Sequence, residues 1–102
     1  MVIQLVQNLP KTPAGYAIAN QLIRSGTSVG ANISEAQSAF SKKEFIHSMQ
    51  ISLKEAQETN YWIELTMESK IIPLVNSDTL FQESVEVIKI LTTIIKNAKL
   101  NL

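Results

Sequence analysis

Few residues in this 102-residue chain have the means to do chemistry, and they are scattered. Arg24 is its only arginine, and a planar guanidinium is the side chain best shaped to grip a carboxylate or phosphate through two parallel hydrogen bonds. Gln21, Arg24, Ser28, Asn32 and Glu35 recur at steps of three and four, which on a helix makes one polar stripe. Ser48, Ser52, Glu55 and Thr59 repeat that pattern further along. Two arrangements satisfy the stripes. In one, a groove lets Arg24 take an anionic ligand. In the other, two facing helices share a network in which Arg24 pairs with Glu55 or Glu35 and the amides and hydroxyls satisfy buried partners. The network, with Arg24, Asn32, Glu35 and Glu55 as members, is the expected arrangement, because a short bundle can use such contacts to fix which residues face one another.

The remaining reactive types lack companions. His47 has no cysteine or second histidine at ligand spacing, so it reads as a surface histidine rather than a zinc ligand. Glu55 and Glu58 are conceivable ligands of a carboxylate-bridged metal pair, but such sites need Glu-x-x-His on facing helices, and the chain has none. No acid, base or nucleophile constellation emerges, so no catalytic residue, metal or cofactor is expected. Lys42 and Lys43 open a helix, where they oppose its dipole; they are available to a phosphate, or simply solvated.

Composition narrows the classes further. Nine basic residues balance nine acidic ones, so no global field draws in nucleic acid or an anionic membrane. The absence of cysteine rules out disulfides and thiolate chemistry and suits a reducing cytoplasm. No basic segment leads into an apolar run at the N-terminus, and nowhere are there about 18 consecutive apolar residues. A cytoplasmic protein without a membrane partner is the expectation.

Caps and prolines then place the elements. Val2 to Asn8 forms two turns of a first helix, cut short by Leu9-Pro10. Thr12 before Pro13 is an N-cap with proline at the first helical position, where its missing N–H leaves nothing unsatisfied. Apolar residues at Ile18, Leu22, Val29, Ile33, Ala36 and Phe40 carry a second helix to about Ala39. Gly26 and Gly30 weaken it by about 1 kcal/mol each relative to alanine, and their G-x-x-x-G spacing suggests close helix packing. Ser41 and Glu44 make a capping box, with Phe40 and Phe45 as the hydrophobic staple that sets the angle of the turn. The third helix runs from Lys42 to about Ile71, stopped by Pro73. Asn76, Ser77 and Asp78 offer caps for a fourth helix reaching almost to Leu102. The expected architecture is all-α: one domain over residues 1–102, an antiparallel up-down-up-down four-helix bundle with a truncated first helix.

The helical wheels hold more apolar residues than one interior needs. Phe45, Met49, Leu53, Ala56, Ile63, Met67 and Ile71 form the core stripe of the third helix, yet Ile51, Tyr61, Trp62, Leu65 and Ile72 lie on other faces. In the fourth helix, Leu80, Val87, Ile88, Leu91, Ile94, Ile95 and Ala98 form the stripe, with Phe81, Val85 and Ile90 outside it. Apolar residues on adjoining turns imply a partner surface, and Trp62 and Leu65 are its expected anchors in a homo-oligomer.

The stretches QLIRSGTSVGANISEA, FSKKEFIHSM and SLKEAQETNYWIEL, within Ala17 to Ile72, resemble the bacterial four-helix-bundle family associated with intervening sequences in 23S ribosomal RNA genes, sometimes labelled a ribosomal protein. The resemblance implies an antiparallel bundle that assembles into a ring, commonly a pentamer. It also implies kinship with the accessory protein of diversity-generating retroelements, a basic ring that engages a reverse transcriptase and nucleic acid. It carries over Arg24, Asn32, Glu35 and Glu55 as family positions. This chain departs from the pattern in its short first helix and its balanced charge. The expected function is therefore a non-enzymatic, homo-oligomeric scaffold for a protein partner, a pentamer by the resemblance. A nucleic-acid-binding ring with Lys42 and Lys43 on its rim is the alternative.

Overall fold

The computed structural model describes residues 2–70 and 74–101. They form four helices, α1 (Val2–Gln7), α2 (Pro13–Gln37), α3 (Lys42–Glu68) and α4 (Leu74–Leu100), with no strand among the described residues. Thr12 caps α2, its hydroxyl accepting the Gly15 N–H at 3.1 Å, and Pro13 opens the helix. Across α2 and α3, Ser52 meets Val29 and Thr59 meets Ser25; across α3 and α4, Lys42 meets Asn101 and Asn60 meets Ser84. As one position rises its partner falls, so neighbouring helices run antiparallel. The fold is the expected all-α four-helix bundle.

The helix ends differ in detail. α3 stops at Glu68 because Lys70 takes the left-handed conformation, φ 55°, with its N–H on the Met67 carbonyl. The stop expected at Pro73, like Ile71 and Ile72 in the apolar stripes, lies outside the described residues. α4 begins at Leu74, so Asn76, Ser77 and Asp78 fall within its opening turns rather than ahead of it. A proline just before a helical run favours a start as readily as a stop.

At the α2–α3 corner, the Ser41 hydroxyl accepts the Glu44 N–H at 3.1 Å and the Glu44 carboxylate accepts the Phe40 N–H at 3.0 Å. The box is thus closed one residue further out than the usual pattern. The staple is not made: Phe45 packs against the core, but Phe40 is 99% exposed. With α2 ending at Gln37, the last turn carries Phe40 away from the interior. Ser41→Ala should lower the unfolding free energy by about 0.5–2 kcal/mol in chemical denaturation. An unchanged midpoint would mean that the corner is held by something other than this cap.

Two apolar clusters hold the helices together. One joins Leu5 and Leu9 to Ile18, Leu22 and Ile63, with Val2, Val6, Trp62, Leu80 and Phe81 against it. The other joins Ala36, Met49, Ala56, Leu91 and Ile95, flanked by Val29, Ile33, Leu53 and Val87. α3 is the middle element, packed on α2 on one side and α4 on the other, while α1 rests on α2. Phe81, placed outside the core stripe by its wheel position, packs into the first cluster, and Ile46 is also buried. The two glycines diverge. A Cβ on Gly26 would meet the Val2 side chain at 3.1 Å, whereas one on Gly30 would meet nothing within 4 Å. Among the described residues, only the Gly26 half of the G-x-x-x-G pair serves close packing.

Candidate functional site

The polar stripes of α2 and α3 meet in a seam. Arg24 Nη1 donates to Glu55 Oε2 at 2.9 Å, Arg24 Nη2 pairs with Glu58, and Arg24 Nε donates to Gln21 Oε1 at 3.3 Å. Glu58 also accepts the Trp62 indole N–H at 3.2 Å. Below this half-exposed layer lie hydroxyls with no solvent contact. Ser25 donates to the Gln21 carbonyl at 2.9 Å, Ser52 donates across the helix gap to the Val29 carbonyl at 2.8 Å, and Thr66 returns to the Trp62 carbonyl at 2.7 Å. The Thr59 hydroxyl lies within bonding distance of both Ser25 Oγ, 2.9 Å, and the Glu55 carbonyl, 2.8 Å. On the other side of α3, Asn60 donates to Ser84 at 2.6 Å. No buried side-chain polar atom among the described residues lacks a partner, as buried polar groups require.

Of the four residues expected in this network, the structure brings together Arg24 and Glu55. Asn32 turns back on its own helix and donates to the Ser28 carbonyl at 2.8 Å. Glu35 is exposed and lines the corner cleft. The reason is distance: along a helix Asn32 stands about 12 Å and Glu35 about 16 Å from Arg24, beyond the reach of its side chain. Glu58, Ser25 and Thr66 are members that the stripes did not single out. Ser52, Thr59 and Thr66 are spaced by sevens, the period at which helical positions return to one face, and that spacing was the available signal.

Lys42 does not face solvent alone. Its ammonium donates to the Asn101 carbonyl at 3.0 Å, placing a cation at the negative end of α4. Lys43 and His47 line an open cleft of about 800 Å³ at the corner, with Glu35, Glu44 and Phe40. No group of three metal-ligating side chains is present among the described residues, and no described helix is long and apolar enough to cross a membrane. With its guanidinium committed to two carboxylates and an amide, Arg24 is placed to join helices rather than to receive an anion.

Trp62, expected to stand clear of the core, is half-buried against the first cluster, with its ring edge-on to Tyr61 at a centroid distance of 5.0 Å. Its indole N–H is also held by Glu58, on the side of α3 that faces Arg24 of α2. Leu65 is also half-buried. The apolar groups standing out from α3 are Tyr61, 56% exposed, and Ile51, 36% exposed.

One further feature is a trough between α2 and α4. Its floor is the inward face of α3, Ala56, Thr59 and Ile63; Gly26 and Val29 form one wall, and Leu80, Glu83, Ser84 and Val87 the other. Val2 of α1 closes one end, leaving a cavity of about 140 Å³ with an almost wholly apolar lining.

A sequence profile of the family described as 23S rRNA-intervening sequence protein matches residues 1–93. Among solved structures, the chain is similar to a protein with unknown function from the S23 ribosomal protein family from Bacteroides thetaiotaomicron. The two are 39% identical, with a TM-score of 0.86 over 93% of this chain and 88% of that one. No curated protein matches the chain.

Proposed function

The chain belongs to the 23S rRNA-intervening sequence protein family, and from that premise we propose that it is a non-enzymatic, homo-oligomeric helical scaffold that binds a protein partner in the cytoplasm. The observation that carries the reading is the apolar surface left outside both clusters. Ile3, Tyr16, Ile23, Ile51, Tyr61, Ile90 and Ile94 all stand at least a third exposed on helices. Burying such surface yields about 25 cal/mol per Å², so copies of the chain gain by covering one another. Five copies is the number that the resemblance to ring-forming relatives implies. The polar seam supports a structural role, since Ser52 and Thr59 bond across from α3 to α2 while Ser25 and Thr66 are satisfied by carbonyls of their own helices. Multi-angle light scattering at micromolar concentration should report several times the 11.3 kDa chain mass. A monomer at that concentration overturns the scaffold.

A second reading, a nucleic-acid-binding ring, is favoured by one end of the molecule. Lys42, Lys43, Lys96 and Lys99 gather where α3 begins and α4 ends, beside the exposed Phe40 ring. Repeated around a ring, these lysines sum to a basic rim with aromatic rings available for base stacking. Titration with single-stranded RNA at several salt concentrations tests it, because phosphate contacts release counterions and the affinity then falls linearly with salt on logarithmic axes. Affinity that ignores salt, or none at low salt, excludes this reading.

A further inference from the structure

The exposed face of α3 is polar along its length, and its charges are sorted. Lys43, His47, Gln50 and Lys54 occupy the first half, and every one of them is exposed. Gln57, Tyr61, Glu64 and Glu68 occupy the second half and are exposed as well. Steps of four and three residues alternate through the whole run, the spacing that keeps side chains on a single helical seam. The seam is about 38 Å long. Its first half carries no acid and its second half no base.

This order does nothing for the helix that carries it. Lysine near the N-terminus and glutamate near the C-terminus both oppose the helix dipole, and Glu64 and Glu68, four residues apart, repel each other. Nor do Lys43, Lys54, Glu64 and Glu68 form any ion pair among the described residues. What the order does satisfy is a copy of itself. Turned end for end and laid against its duplicate, the seam sets Lys43 against Glu68, His47 against Glu64, Gln50 against Tyr61 and Lys54 against Gln57, each pair occurring twice. A parallel alignment sets like charge on like. Sliding the antiparallel one by seven residues either way strands the basic or the acidic end beyond its counterpart.

We propose that the α3 seam is a charge-directed contact with a second copy of the chain, in which two α3 helices lie antiparallel across a two-fold axis at the level of Glu55 and Ala56. The inference builds on the homo-oligomeric reading above and adds a polar contact to the apolar one. A contact of this kind is self-complementary, so it joins copies, or assemblies of them, in pairs and goes no further. Ile51 and Tyr61, both exposed, lie where the two copies bring them side by side at the seam's edge. A strip about 38 Å long and about 10 Å wide covers on the order of 400 Å² per copy, half of what a stable interface buries on each partner. Exposed ion pairs add little apiece. One strip alone is therefore transient, and several engaged at once between two assembled oligomers hold through their high effective concentration.

Charge reversal supplies the test. Lys43→Glu with Lys54→Glu makes the seam acidic at both ends, and Glu64→Lys with Glu68→Lys makes it basic at both ends. All four sites are exposed, and three of the four changes bring charge into line with the helix dipole, so circular dichroism should find the helices intact. In light scattering at low salt the parent should have twice the mass it has at about 1 M salt, where the screening length shrinks to about 3 Å. Each double variant should keep the smaller mass at either salt concentration. The two mixed in equal amounts should regain the larger mass, and so should a chain carrying all four changes, whose seam is again complementary to itself. A parent of equal, multi-chain mass at both salt concentrations sinks the seam contact and leaves the scaffold reading standing. Double variants that keep the larger mass overturn it too, as does a four-fold variant that fails to regain it, since attraction without the antiparallel alignment behaves that way. A parent that pairs at low salt and is a single chain at high salt keeps the seam and removes the apolar scaffold. A parent monomeric throughout removes both.

Discussion

Ile63→Ala should lower the unfolding free energy by about 2–5 kcal/mol, the range for deleting most of a buried isoleucine side chain from a packed core. The size follows from position. Ile63 is fully buried, belongs to the cluster that receives Leu5 and Leu9, and also lies on the floor of the trough between α2 and α4. Removing it opens a void beneath three helices at once, and a floor already bordered by a cavity has little neighbouring mass with which to collapse. Urea denaturation should show the midpoint falling with its slope unchanged, the signature of lost stability rather than a changed unfolded state. A loss below about 1 kcal/mol would mean that the α1 end of the bundle is not packed as described.

Gly15→Ala, the addition of one methyl group at a buried position near the start of α2, should cost about 1–3 kcal/mol. A Cβ there would land inside the contact shell of the Pro10 carbonyl oxygen and 3.0 Å from its carbon. Backbone cannot rotate aside as a long side chain can, so the turn between α1 and α2 must open. Amide exchange should then show α1 losing its protection while α2 to α4 keep theirs. Gly30→Ala is the matched control, since open space at that position predicts a gain of about 0.5–1 kcal/mol from helix preference alone. Equal behaviour of the two variants would contradict the close contact at Gly15.

Much of the fold was legible because its signals are local. Thr12 and Ser41 announce helix starts through hydrogen bonds to residues three positions on, and those bonds are present. The fate of Phe40 was not legible, because a staple depends on how far the preceding helix continues, and α2 stops at Gln37. The seam was half legible for a related reason. Stripes identify a face but not which residue stands opposite, so Arg24 and Glu55 were found while Glu58 was assigned elsewhere. Trp62 shows the limit most plainly. A wheel describes one helix in isolation, whereas the cover on the indole comes from a cluster assembled from several elements.

The buried hydroxyls of α3 have a consequence for folding. Ser52, Thr59 and Thr66 repeat every seven residues, so sliding α3 along α2 by one repeat, about 10.5 Å, would bring Ser25 opposite Ser52 or Thr66 instead of Thr59. A zipper with such similar teeth can close one tooth out of place. Arg24 breaks the degeneracy. The same slip would take it from Glu55 and Glu58 to Ser48 and Ile51, or to Trp62 and Leu65, none of which can answer its charge. A half-exposed ion pair adds little to stability, yet this one discriminates between the native alignment and its nearest counterfeit.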